Sequence, residues 1–96
     1  MINALQSTNA EVRYSALATS IEDQIELPQS IMQRIAESDT SANVRSLALS
    51  ALIQNPSMDR SLIRNTAQLA LKDSAPDIQA QAKSIIEYLD LAEKPN

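Results

Sequence analysis

The segment Asp39-Thr40-Ser41-Ala42-Asn43-Val44-Arg45-Ser46-Leu47-Ala48 has two counterparts in the same chain. Upstream stands Ser7-Thr8-Asn9-Ala10-Glu11-Val12-Arg13, followed at the same distance by Ala16; downstream stands Asp73-Ser74-Ala75-Pro76-Asp77-Ile78-Gln79, followed by Ala82. The anchors Val12, Val44 and Ile78 lie 32 and 34 positions apart. A phrase that returns at a period of about 20 to 50 residues marks an array in which each unit covers its apolar face against a neighbour.

Between the repeated phrases the apolar residues recur with the helical period. The spacing predicts helices over about 8–23, 28–37, 44–54, 57–72 and 76–91, preceded by one or two turns at most over 1–6. The stripes are Val12, Ala16, Leu17, Ser20 and Ile21; Ile31, Met32, Ile35 and Ala36; Val44, Leu47, Ala48, Leu49, Leu52 and Ile53; Leu62, Ile63, Ala67, Leu69 and Ala70; and Ile78, Ala82, Ile85, Ile86 and Leu89. Thr8-x-x-Glu11 reads as a capping box for the first full helix. Pro28 and Pro76 suit first turns, and Asn55-Pro56 breaks the chain between helices. The expectation is an all-α chain, one domain over 1–92 with a frayed polar tail at 93–96.

Composition agrees with helix-on-helix packing. The chain has 96 residues, 44% of them hydrophobic, but two Tyr and no Phe or Trp, so Leu, Ile, Val and Ala must build the core. Small Ala side chains let helices approach closely. Glycine is absent, which disfavours tight hairpins and phosphate-cradling loops, both of which need positive φ. No apolar run reaches the ~18 residues that span a bilayer, and 1–4 lacks the basic start of a signal peptide. A cytoplasmic chain is expected, unless it was cut from a longer one. The net charge of −4 and the scattered placing of eight Lys and Arg argue against nucleic acid, whose binders carry a basic patch.

The repeated phrase resembles the HEAT repeat, and the related repeats of the phycobilisome-lyase class, in which Asp, a short turn, Val-Arg and a following Ala open the second helix of a pair. Asp39, Val44, Arg45 and Ala48 match fully; the first copy has Ser7 for the Asp, and the third has Gln79 for the Arg. The resemblance spans nearly the whole chain. It implies a short right-handed α-solenoid of antiparallel helix pairs, about two and a half repeats, with second helices lining a concave surface. It also implies an inter-repeat ladder of Arg13, Asp39, Arg45 and Asp73, whose charges are lost at its two ends, at Ser7 and Gln79.

The second helices also differ along one stripe. Arg13, Leu17 and Ile21 correspond to Arg45, Leu49 and Ile53, and then to Gln79, Lys83 and Glu87. A stripe that faces a following unit is apolar, and it turns polar where none follows; the last helix is thus expected to end the array. The first pair lacks most of its first helix: either the chain continues upstream, or it self-associates there through an apolar face of Ile2, Leu5, Leu17 and Ile21, or the first turns suffice to cover that face.

No catalytic constellation emerges. Without His or Cys there is no imidazole base, thiol nucleophile or Cys/His zinc site. Glu22, Asp23 and Glu26 lack the pattern of a calcium loop and read as a solvated turn; Glu87, Asp90 and Glu93 read as a solvated face. Tyr14 and Tyr88 read as partly buried packing residues, and Lys72 and Lys83 as exposed. No catalytic, metal or cofactor residue is expected. The leading expectation is a non-catalytic protein-interaction module whose concave face carries Ser15, Thr19, Glu22, Leu47, Ala51, Gln54, Gln81, Ile85 and Tyr88 and takes an unidentified protein or peptide rather than nucleic acid or membrane. Leu47, Ala51 and Ile85 are either its apolar anchor or part of the core. The alternatives are a structural or oligomerisation domain at the end of a longer protein, and a subunit of a lyase or DNA-repair enzyme of the HEAT-like class.

Overall fold

Three sharp turns without glycine are made by side chains that hold the backbone. Ser7 Oγ accepts from the Asn9 amide at 3.1 Å, Asp39 Oδ1 from the Ser41 amide at 2.9 Å, and Asp73 Oδ1 from the Ala75 amide at 2.8 Å. Such side-chain turns offer the backbone an alternative partner where a helix stops. Asp23, Asp39 and Leu71, which end three helices, keep φ at −85°, −61° and −60°, so no residue there needs a glycine.

The computed structural model describes residues 2–23, 25, 28–54 and 59–93. Among them are six helices and no strand: α1 Ile2–Leu5, α2 Ala10–Glu22, α3 Gln29–Ser38, α4 Ala42–Gln54, α5 Arg60–Ala70 and α6 Pro76–Glu93. The break expected at Asn55-Pro56, Glu26 of the acidic turn, and the tail beyond Glu93 lie outside the described residues. The molecule is an elongated slab of 45 × 28 × 18 Å. Helix α4 lies at its middle and packs against α2, α3, α5 and α6.

The core is aliphatic. Leu17, Val44, Leu49, Leu52 and Ile78 are fully enclosed, and Ala48 and Ala82, at corresponding places in α4 and α6, have no exposed surface. Each such side chain contributes in proportion to the apolar area it removes from water, about 25 cal/mol per Å².

Five sequence expectations change. Helix α2 is capped by Asn9, whose Oδ1 accepts from the Glu11 amide at 2.9 Å; Thr8 is exposed and lies one residue too early. In α5 the buried stripe is Ile63, Thr66, Ala67 and Ala70. Thr66 can be enclosed because its hydroxyl donates to the Leu62 carbonyl at 2.9 Å, and Leu69, a flank residue, is exposed. Val12 is 42% exposed where Val44 and Ile78 are 1% exposed, because α1 has only four residues and does not cover the start of α2. Ile53, in the last turn of α4, and both tyrosines are exposed as well. Tyr14 and Tyr88 are therefore not packing residues.

The expected apolar face at the N-terminal end is partly taken up by packing. Leu5 and Leu17 are buried and Ile21 is half-buried against the core; the Ile2 side chain lies outside the described residues. The stripe of α2 that points away from α4 carries Ser15 and Thr19, both exposed, where α4 has Leu47 and Ala51 packed inside.

Candidate interaction surface

The repeated phrase brings distant residues into two near-identical ion pairs. Arg13 donates from Nε to Asp39 Oδ2 at 2.9 Å and from Nη2 to Asp39 Oδ1 at 3.0 Å. Arg45 donates in the same way to Asp73, at 2.8 and 2.9 Å. The planar fork of guanidinium matches the carboxylate, which adds geometric specificity to charge. All four side chains are nearly buried, at 7–12% exposed. The remaining Nη1 of each arginine turns back to a carbonyl six residues earlier, Ser7 at 2.8 Å for Arg13 and Asp39 at 2.6 Å for Arg45. Arg13 also reaches Thr40 Oγ1 at 3.2 Å.

The pairs shift the carboxyl groups. Burial pushes the Asp39 carboxyl up, but hydrogen bonds from Arg13 and the Ser41 amide, with the charges of Arg13 and Arg45, outweigh it and hold the group below the usual aspartate value. For Asp73 the hydrogen bond from Arg45 leads, burial opposes it, and the Ala75 amide adds to the lowering. The hydrogen bond to Asp39 raises Arg13 further above neutrality. These residues sit in a structural seam between turns, with their polar atoms occupied by one another.

A second seam joins α4 and α6. Ser46 Oγ donates to Gln81 Oε1 at 2.7 Å, and Gln81 Nε2 donates to the Ser46 carbonyl and to Ser50 Oγ, both at 3.0 Å. With Arg45 held to Asp73 near the starts of both helices, this fixes their register: α4 and α6 run side by side in the same direction, and Gln81 stands level with the turn from Ser46 to Ser50. Nothing in the sequence singled out Ser46 or Ser50 as its partners.

The residues expected on the partner-binding face divide. Ser15, Thr19, Glu22, Gln54 and Tyr88 are exposed. Ala51 and Ile85 belong to the core, Leu47 is half-buried against it, and Gln81 is occupied by the seam. The proposed apolar centre at Leu47, Ala51 and Ile85 is thus core, because those side chains fill the space between adjacent helices. Toward the C-terminal ends of α4 and α6 the apolar side chains open to solvent are instead Ile53, Tyr88 and Leu91, at 43%, 63% and 73% exposed.

A cleft of about 230 Å³ opens between α1 and α3, lined by Leu5, Ile31 and Ile35 with Arg34 and Ser38. It marks the flank of α3 that a four-residue α1 is too short to cover. Asp90, expected as solvated charge, pairs with Arg64 of α5 at 2.8 Å. Among the described residues no group of three metal-ligating side chains occurs, and no helix is long and apolar enough to cross a membrane. No family model, curated protein or solved structure matches the chain.

Proposed function

We propose that the chain is a non-catalytic protein-interaction module, built as a short right-handed α-solenoid of about two and a half HEAT-like helix pairs, with α2, α4 and α6 lining its concave side. The observation that carries this reading is the recurrence of one hydrogen-bonded turn at Ser7, Asp39 and Asp73, linked by the Arg13–Asp39 and Arg45–Asp73 pairs. Further support comes from Arg64, early in α5, meeting Asp90, late in α6, as paired helices of opposite direction would place them. The absence of His and Cys favours binding over catalysis, and the acidic balance favours a protein or peptide over nucleic acid or an anionic membrane.

The test is photo-cross-linking inside the cells that make the protein. A benzophenone amino acid replaces Tyr88, on the concave side, or Glu37, an exposed residue of α3. The expected result is a discrete adduct at position 88, identified by mass spectrometry, and none at 37. Equal labelling from both positions, or none from 88, would overturn the reading.

A further inference from the structure

We infer that the partner this face takes is a cationic amphipathic helix, seated on Ile53, Tyr88 and Leu91; the inference rests on the interaction reading above and names its partner's chemistry. Three observations lead there. The first is the position of the apolar residues. In α6 the buried side is Ile78, Ala82, Ile85 and Leu89. Leu91 lies two residues beyond Leu89, on the opposite side of the helix, so it stands away from the packing of the described residues. Tyr88 and Leu91, three apart, are surface neighbours.

The second is register. Gln81 is level with Ser46 and Ser50, so one turn further along the parallel helices Ile53 of α4 comes alongside Ile85 and Tyr88 of α6. Ile53, Tyr88 and Leu91 therefore form one strip at the C-terminal ends of two adjacent helices.

The third is charge, which selects the occupant. None of α2, α4 and α6 carries a basic residue in its last turn, so within these helices no cation offsets the negative end of the dipole. Glu22 and Asp23 at the end of α2, and Glu87 beside Tyr88, are exposed acids. Lys83 stands one turn earlier on α6, and Arg64 is engaged with Asp90. An apolar strip edged by anions repels acidic helices and anionic lipid alike. It suits a helix with apolar residues at i, i+3 and i+4 and Lys or Arg along its margins, which is how a helix lies in a groove.

The experiment uses two fluorescein-labelled probes of about 16 residues, long enough to hold a helix on binding: an amphipathic Leu/Lys peptide and its Leu/Glu counterpart. Fluorescence anisotropy at physiological salt should show saturable binding of the Leu/Lys probe and none of the Leu/Glu probe. Tyr88→Ser with Leu91→Ser, checked for unchanged helicity, should weaken binding at least about tenfold, as loss of a central apolar anchor does. Glu22→Gln, Asp23→Asn and Glu87→Gln together should weaken it and flatten its salt dependence. Equal binding of both probes, no binding of either, or binding of the Leu/Lys probe untouched by the Tyr88 and Leu91 changes would overturn the inference, the last by showing only general attraction to an acidic protein. A cross-link at position 88 without probe binding would refute the cationic partner and leave the interaction reading standing; loss of both results would remove both.

Discussion

The side-chain amide of Gln79 donates to the backbone carbonyl of Asp73, six residues before it. Arg13 and Arg45 make the same bond to Ser7 and Asp39. What Gln79 lacks is the second half of the arginine's work, the reach to a carboxylate in a following turn. Ser7 lacks the complement: its hydroxyl holds its own turn but offers no charge to an incoming guanidinium. The local bond is thus kept in all three copies, and the long-range one is made only where a neighbouring turn supplies a partner.

Arg45 joins two turns through three hydrogen bonds. Arg45→Ala should cost about 1.5–3 kcal/mol, the range for hydrogen bonds to charged groups. Arg60→Ala, at an exposed helix start, should stay within about 0.5 kcal/mol. Urea melts of both variants check this; equal effects would show that the nearly buried pair contributes no more than a surface charge.

Acid should weaken the domain through the same pairs. The Asp39 and Asp73 carboxyls are lowered from an ordinary value of 3.8, so the folded state binds its protons later than the unfolded chain. Their stabilisation is complete above the unfolded value and is lost as pH falls through the lower folded values. Thermal melts should therefore be level around neutrality and fall steeply below about pH 4. Asp39→Asn with Asp73→Asn should lower the plateau and flatten that fall; a wild-type slope retained in the double variant would place the sensitivity elsewhere.

The start of α2 distinguishes adjacent residues. Asn9→Ala should destabilise by about 1 kcal/mol, since it removes the acceptor of the Glu11 amide. Thr8→Ala should change stability by less than about 0.5 kcal/mol, as for surface positions. The reverse order in denaturant melts would move the cap back to Thr8.

The helical character and the approximate helix limits were legible because period and proline placement are local. The repeat also pointed to Arg13, Asp39, Arg45 and Asp73 together, and each takes part in an ion pair. What could not be read depends on neighbours. Thr66 enters the core only because a carbonyl in the preceding turn accepts its hydroxyl, and Leu69 leaves it because no helix covers that flank. Val12 has the same place in its phrase as Val44, yet it meets a four-residue helix instead of a full one. The candidate face suffered most: Leu47, Ala51 and Ile85 are apolar for packing, and only coordinates separate that from apolar for binding.

Lys83→Leu with Glu87→Ile would give α6 the stripe that α4 carries as Leu49 and Ile53. Among the described residues nothing covers that side of α6, where Lys83 and Glu87 are exposed. The variant should keep its helicity and form larger species than the wild type in light scattering, because a new uncovered apolar stripe seeks a partner. An unchanged mass relative to wild type would show that these polar residues do not protect the end.

The two ion pairs are interchangeable joints. Each asks only for an aspartate that opens a turn and an arginine six positions into the preceding unit, and residues 39–72, with Asp39 and Arg45, carry one of each. Excising them would bring Arg13 to face Asp73, with the same fork and carboxylate it now finds in Asp39; copying them in tandem would add one joint and one length of slab. The α4–α6 seam is not shared in this way: with those residues excised, Gln81 would meet Tyr14 and Ala18 in place of Ser46 and Ser50, so the charged joint can be copied freely while the neutral one must be remade.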